Sequence, residues 1–252
     1  MATLSTRKAE VGRVLKLRKI ESVSAQVGLA VDASGSMKSL YEGGTVQDVV
    51  ERFLALGLSM DRDRKLDVWP FDTRTAAMPA VTEADFAGYV GRVIRFREWG
   101  GGTLYLPPLR AAHGAWFPAA EPAADPVAAT GGGFLARLFG RGAPAAPPSP
   151  PPPLAAGAEP CLLFVITDGD NQRDDEGPTR DFLEGLERAR VPFYVTFVGI
   201  GSGATFRFVR EVAEERGNVG FLTVPDLGRI RDPELYERVV TPELAGWLRD
   251  VG

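Results

Sequence analysis

Apolar residues along the chain follow two rhythms. Continuous apolar runs at 27–31, 66–71, 161–166, 193–198 and 219–224 predict strands, and the run Cys161-Leu162-Leu163-Phe164-Val165-Ile166 has no polar face, as expected of a central parallel strand. Between these runs the spacing is helical. Val46, Val49, Val50, Phe53, Leu54, Leu56, Leu58 and Met60 predict a largely buried helix over 45–60, capped by Thr45, and Phe86, Tyr89, Val90, Val93 and Ile94 predict another over 84–96. A helix should begin near Pro107-Pro108 and continue through Leu109, Ala111, Ala112 and Ala115. Further helices are expected at 181–190, 205–216 and 232–251, the last interrupted near Pro242. Residues 75–81 should turn back after Asp72-Thr73-Arg74 and pair antiparallel beside 66–71. Strand and helix alternate, which predicts an α/β sandwich.

The first strand ends in Asp32-Ala33-Ser34-Gly35-Ser36. A carboxylate and two hydroxyls on alternate residues share a face, and Gly35 lets the turn close, so three oxygens can converge on one point. They are hard donors of the kind Mg²⁺ takes. The same residue types also suit a strand-to-helix turn in which they only cap the next helix. Two later loops favour the metal reading. Thr167-Asp168-Gly169 follows the central strand, and Gly100-Gly101-Gly102-Thr103 precedes a helix. In open α/β sheets ligands bind beyond the carboxyl ends of strands, where Asp32 and Asp168 both fall, and a glycine-rich loop can bring Thr103 close.

With those residues in that order, the chain resembles a von Willebrand factor A (VWA) domain with a metal-ion-dependent adhesion site (MIDAS). Residues 23–71 are similar to the bacterial versions associated with tellurium and toxic-cation resistance, through the DxSxS loop with Met37, Tyr41, Val46-Gln47, Glu51-Arg52 and Leu66-Asp67-Val68-Trp69-Pro70-Phe71, supported upstream by Leu15-Lys16-Leu17. Gly101-Gly102-Thr103, Tyr105 and Pro107 fit the same subgroup. The resemblance implies a three-layer, Rossmann-like sandwich: a mostly parallel central sheet with one antiparallel edge strand and helices on both faces. Residues 1–22 would be an N-terminal extension and 23–252 the VWA domain. It also implies that Ser34, Ser36 and Thr103 bind a divalent cation directly, with Asp32 and Asp168 acting largely through water. Mg²⁺ is the expected ion, with Mn²⁺ or Ca²⁺ as substitutes. A partner protein's Asp or Glu carboxylate would complete the coordination, and Asp170 is the candidate rim residue for contacting that partner.

Composition narrows the setting. A hydrophobic fraction of 44% over 252 residues can supply the core of one α/β domain, and a net charge of −4 gives no reason to expect nucleic acid. The first twenty residues lack the apolar core of a secretory signal and nothing later could span a bilayer, so the cytoplasm is the expected compartment. The single cysteine, Cys161, lies within a buried strand and reads as a core residue.

Residues 118–160 depart from the family pattern. They are dominated by Ala, Pro and Gly, cannot bury enough apolar surface to fold alone, and are expected to form a disordered insertion leaving the sheet at the edge opposite the metal. Within them, Phe134-Leu135-Ala136-Arg137-Leu138-Phe139 and the proline run at 146–153 are candidate secondary docking segments, each with a plain linker or spacer as the alternative.

A metal-dependent hydrolase is the rival from another class, because an open position on the ion could activate water or hold a phosphate. Its companions are missing: the one histidine, His113, falls on the helix after Thr103, no lysine follows Lys65, and there is no P-loop. A scaffold with a purely structural metal is the third reading. Asp61, Asp63 and Asp67 read as a solvated turn away from the site. Asp174, Asp175 and Glu176 either shape partner selectivity or start the next helix.

Overall fold

The computed structural model describes residues 3–118, 158–201 and 206–251. Its centre is a six-stranded sheet of β1 (Gln26–Asp32), β2 (Leu66–Phe71), β3 (Met78–Val81), β4 (Cys161–Thr167), β5 (Phe193–Ile200) and β6 (Val219–Val224), in the order β3-β2-β1-β4-β5-β6. All neighbours run parallel except β3, which pairs antiparallel with β2 at one edge. Strand order reverses between β1 and β4, the point at which open α/β sheets place their ligands.

Side chains alternate across the sheet and divide the core in two. Val27, Leu29 and Val31 of β1, with Leu162, Phe164 and Ile166 of β4, face the layer of α1 (Leu4–Arg18), α3 (Thr45–Met60), α7 (Asp232–Val239) and α8 (Pro242–Val251). Ala30, Leu163, Val165, Phe193, Val195 and Phe197 face the opposite layer of α4 (Leu106–Trp116), α5 (Arg173–Arg188) and α6 (Arg207–Glu215). The remaining helix, α2 (Lys38–Glu42), is short and follows the turn after β1. This is the three-layer sandwich expected above.

Several local expectations need correction. The helix expected over 84–96 is a π-helical turn at Val90–Ile94 followed by a 3₁₀ turn at Phe96–Glu98. Gly88 (φ +64°) and Arg95 (φ +50°) interrupt the backbone, although Tyr89, Val90 and Ile94 are buried as their spacing suggested. Thr45 lies inside α3, and Gly44 takes the cap position. Helix α5 begins at Arg173 rather than at 181, so Asp174, Asp175 and Glu176 form its first turn, where acidic groups complement the helix dipole. Asp61 is not solvated: it is 5% exposed and accepts the Asp63 amide at 2.8 Å and the Val27 amide at 3.4 Å.

Residues 1–22 contribute α1, which packs on α3 and α7 through buried Val11, Val14 and Leu15. Its Arg7, 2% exposed, meets Asp48 and Glu51 of α3 and Asp232 of α7, and Arg52 pairs with Asp48 and Asp232 beside it. The segment 118–160 falls almost wholly outside the described residues, as do 134–139 and the proline run. Its flanks are described: the Trp116 indole donates to Asp67 near the start of β2, and the Pro160 carbonyl accepts from Gln26 at the start of β1. Both lie at the sheet edge opposite the DxSxS loop. No helix among the described residues is long and apolar enough to cross a membrane.

Candidate metal centre

Asp32 is the last residue of β1 and is fully buried. One oxygen of its carboxylate accepts the Ser34 amide at 2.7 Å, closing the turn on itself. The other accepts the Thr167 hydroxyl at 2.7 Å and the Thr103 hydroxyl at 3.4 Å. Ser34 Oγ lies 3.1 Å from Ser36 Oγ, and the Ser36 hydroxyl donates to Asp168 Oδ1 at 2.7 Å. A single hydrogen-bonded chain therefore joins Asp32, Ser34, Ser36, Thr103 and Asp168. Asp170 stands exposed two residues beyond Asp168.

The sheet supplies this convergence. β1 and β4 are hydrogen-bonded neighbours through Val31 and Ile166, so the turn after Asp32 and the turn after Thr167 leave the same edge side by side. Thr103 arrives from the glycine loop, which is stitched in at two points: Gly35 N donates to Gly101 O at 3.4 Å, and Gly101 N donates to Asp72 Oδ2 at 3.1 Å. A Cβ at Gly102 would stand 2.0 Å from the amide nitrogen of the exposed Gln172 side chain, so a larger residue there would make that side chain swing aside. The Tyr41 hydroxyl supports the floor by donating to Asp32 O at 3.1 Å. The sequence reading did not single out Thr167, Tyr41 or Asp72 for these roles. Thr167 lay in plain sight beside Asp168, whereas the parts played by Tyr41 and Asp72 depend on tertiary geometry.

Electrostatics favour a cation here. Burial pushes the Asp32 carboxyl up to about 6, outweighing the hydrogen bonds from Thr167 and Ser34, with the Asp168 charge adding to the rise. Neither Asp32 nor Asp168 forms an ion pair with a Lys or Arg among the described residues. The spacing also fits. Neighbouring ligands of an octahedral ion with bonds of about 2.1 Å lie about 3 Å apart, and the Ser34 and Ser36 hydroxyl oxygens stand 3.1 Å apart. Hydroxyls that donate to the carboxylates keep their lone pairs free for an ion. Among the described residues no group of three or more His, Cys, Asp or Glu is placed to hold a metal ion, so hydroxyls would have to make up the donor set.

Other titratable groups lie elsewhere. His113 is half-buried against Phe117, Phe182 and Phe193, and desolvation lowers its pKa. Cys161 is a free, buried thiol whose pKa burial raises.

A parallel-sheet sandwich with this cluster at its switch point has the architecture of a VWA domain. A model of the TerF-like VWA family, described as the VWA found in the TerF C terminus, matches residues 24–116 and 154–252. The chain belongs to that family. It is 30% identical to the Bacillus subtilis (strain 168) uncharacterized protein YcbR, over 99% of this chain and 88% of that one. Among solved structures it is similar to proximal thread matrix protein 1 from the mussel byssus with a zinc-occupied MIDAS motif (16% identity, 94% of this chain, 52% of that chain, TM-score 0.46). It is also similar to manganese-loaded TRAP protein of Plasmodium vivax (14% identity, 88% of this chain, 73% of that chain, TM-score 0.46). The chain thus spans about half the length of the mussel protein.

Proposed function

We propose that the chain is a metal-dependent protein-interaction module in which Ser34, Ser36 and Thr103 hold a divalent cation, Mg²⁺ by preference, while Asp32 and Asp168 orient the hydroxyls. When bound, the cation supplies an electrophilic position that an Asp or Glu carboxylate of a partner protein fills. The observation that carries the reading is the ratio of donors: three hydroxyls and two carboxylates share one hydrogen-bonded cluster at the switch point. Direct ligands that are all neutral hydroxyls, with Asp32 and Asp168 acting through water, leave the cation electrophilic, and an anionic partner group is what such a site attracts. Exposed Ser36 opens the cluster to solvent, while buried Asp32 and Thr103 hold its floor. Asp170, exposed two residues beyond Asp168, is the candidate rim residue for contacting that partner.

We read the chain as a binding protein rather than a hydrolase. Its one histidine is packed among phenylalanines and its one thiol is enclosed in β4, so neither stands ready as an acid, base or nucleophile. Kinship with TerF supports a cytoplasmic role in a bacterial stress or tellurium-resistance system. Calorimetric titration with Mg²⁺ and Mn²⁺ tests the proposal. One-site binding is expected in the wild type, and its loss in Asp32→Ala and Ser34→Ala. Binding that survives both substitutions would overturn the assignment, and release of phosphate from generic phosphoesters would replace the interaction reading with an enzymatic one.

A further inference from the structure

Of the three hydroxyls proposed to hold the cation, Thr103 is the one that does not follow β1, and its loop has to be positioned from outside. The backbone around it is held on three sides. The Thr103 carbonyl accepts from Gln172 N at 3.1 Å, Leu104 N donates to Asp72 O at 3.0 Å, and Tyr105 N donates to Asp175 Oδ2 at 2.8 Å and to Asn171 Oδ1 at 3.2 Å. Asp175 Oδ2 also accepts the Leu106 amide at 3.0 Å and the Thr179 hydroxyl at 2.9 Å, and the residue is 8% exposed.

Helix α4 needs an acceptor here. Its first turn carries no acidic residue, and Pro107 and Pro108 have no N–H, so Tyr105 and Leu106 supply the donors that an anion at its N-terminus can take. Asp175 takes both. It sits in the first turn of α5, where its own helix also favours a negative charge, so one carboxylate serves two helix N-termini. Helix α5 follows the Asp168 loop directly, and α4 follows Thr103.

We propose that Asp175 is a positioning residue for the cation site, holding the Thr103 loop against the Asp168 loop through the Tyr105 and Leu106 amides so that the Thr103 hydroxyl meets Asp32. The inference rests on the metal-binding reading above and adds to it a residue that contributes no oxygen to the cluster. Removing Asp175 loosens the α4 side of the Thr103 loop and leaves it the Gln172 and Asp72 backbone contacts, while Asp32, Ser34 and Ser36 stay in place. The cation then loses one oriented donor, and affinity falls without loss of the fold.

The test uses the full chain and three variants: Asp175→Ala, Asp175→Asn, and Leu183→Ala as a control. Leu183 is fully buried on the same helix, so its truncation costs stability without touching the α4 donors. Mn²⁺ affinity by calorimetry should fall about tenfold or more in Asp175→Ala, from the loss of two charge-assisted bonds, and less in Asp175→Asn, which keeps an acceptor oxygen. It should stay within about twofold of wild type in Leu183→Ala, where no donor loop is touched. In EDTA, hydrogen exchange at the Tyr105 and Leu106 amides should accelerate in Asp175→Ala and not in Leu183→Ala. Wild-type affinity in Asp175→Ala, or an equal loss in Leu183→Ala, overturns the proposal. If the wild type binds no Mn²⁺, the cation reading falls, and the exchange measurement alone decides whether Asp175 ties the two loops.

Discussion

Replacing Arg7 by Met tests how far the first helix belongs to the domain. Met keeps much of the aliphatic volume and deletes the charge, leaving Asp48, Glu51 and Asp232 with fewer partners. Breaking a buried ion pair by removing one member costs about 3–5 kcal/mol. Two features reduce that here. The Asp48 and Glu51 side chains keep 24% and 27% exposure, so water screens part of the stranded charge, and Arg52 still neutralises Asp48 and Asp232. We therefore expect a loss of about 2–4 kcal/mol, a large share of a typical 5–15 kcal/mol stability. At about 2–4 °C per kcal/mol for a chain of this size, the melting temperature should fall by about 5–15 °C. Urea unfolding at pH 7, in low salt and in about 0.5 M NaCl, measures the loss, since screening at that ionic strength reaches only exposed pairs. Arg13→Met is the control: Arg13 is 46% exposed and pairs with Glu10 and Glu237 on the surface, where a pair contributes about 0–1 kcal/mol. A loss below about 1 kcal/mol for Arg7→Met, or one that disappears in high salt, would show that the cluster behaves as a set of surface pairs and that α1 is dispensable.

Three further outcomes follow from specific contacts. In Gly28→Ala the new methyl would stand 2.6 Å from the Trp69 and Trp116 rings, so calorimetric melting should show a destabilisation of about 1–3 kcal/mol; an unchanged melting temperature would mean the tryptophan pair moves freely. Because the folded Asp32 carboxyl titrates near 6, above its unfolded value of 3.8, its ionisation costs stability as pH rises through 6 in EDTA. Mg²⁺ should reverse that trend, so the thermal shift it produces should be larger at pH 7.5 than at pH 5, and equal shifts at the two pH values would contradict the assignment of Asp32. His113 behaves oppositely: its folded pKa is lowered by burial, so the stability it contributes is present above pH 6.5 and lost as pH falls below it. The wild type minus His113→Phe difference in urea unfolding should then slope downward from pH 7 to pH 5, and a flat difference would rule this out.

The strands are legible because buried parallel strands leave long apolar runs, and the ends of two such runs carry Asp32 and Asp168. The misreadings have local causes. The apolar spacing begins only near Phe182, whereas α5 starts at Arg173 with an acidic first turn and Pro178 inside it. At 84–96 the apolar spacing reported burial correctly, but left-handed backbone at Gly88 and Arg95 prevented a regular helix. Arg7 carried no signal at all. A charged residue on a polar helix looks solvated until α3 and α7 bring three carboxylates to it. Asp175 was visible only as one of three consecutive acids, and its partners lie about seventy residues earlier, beyond the reach of any local pattern.

The flanks at Trp116 and Pro160 have a practical meaning. They stand at the amino ends of the strands, and β1 is 7 residues long, which at about 3.3 Å per residue puts roughly 23 Å of sheet between them and the oxygen cluster. A fluorophore, an affinity tag or a surface tether attached at those flanks themselves would sit at the end of the sheet away from the cluster. The protein thus comes with a built-in handle for immobilising it with the oxygen cluster free.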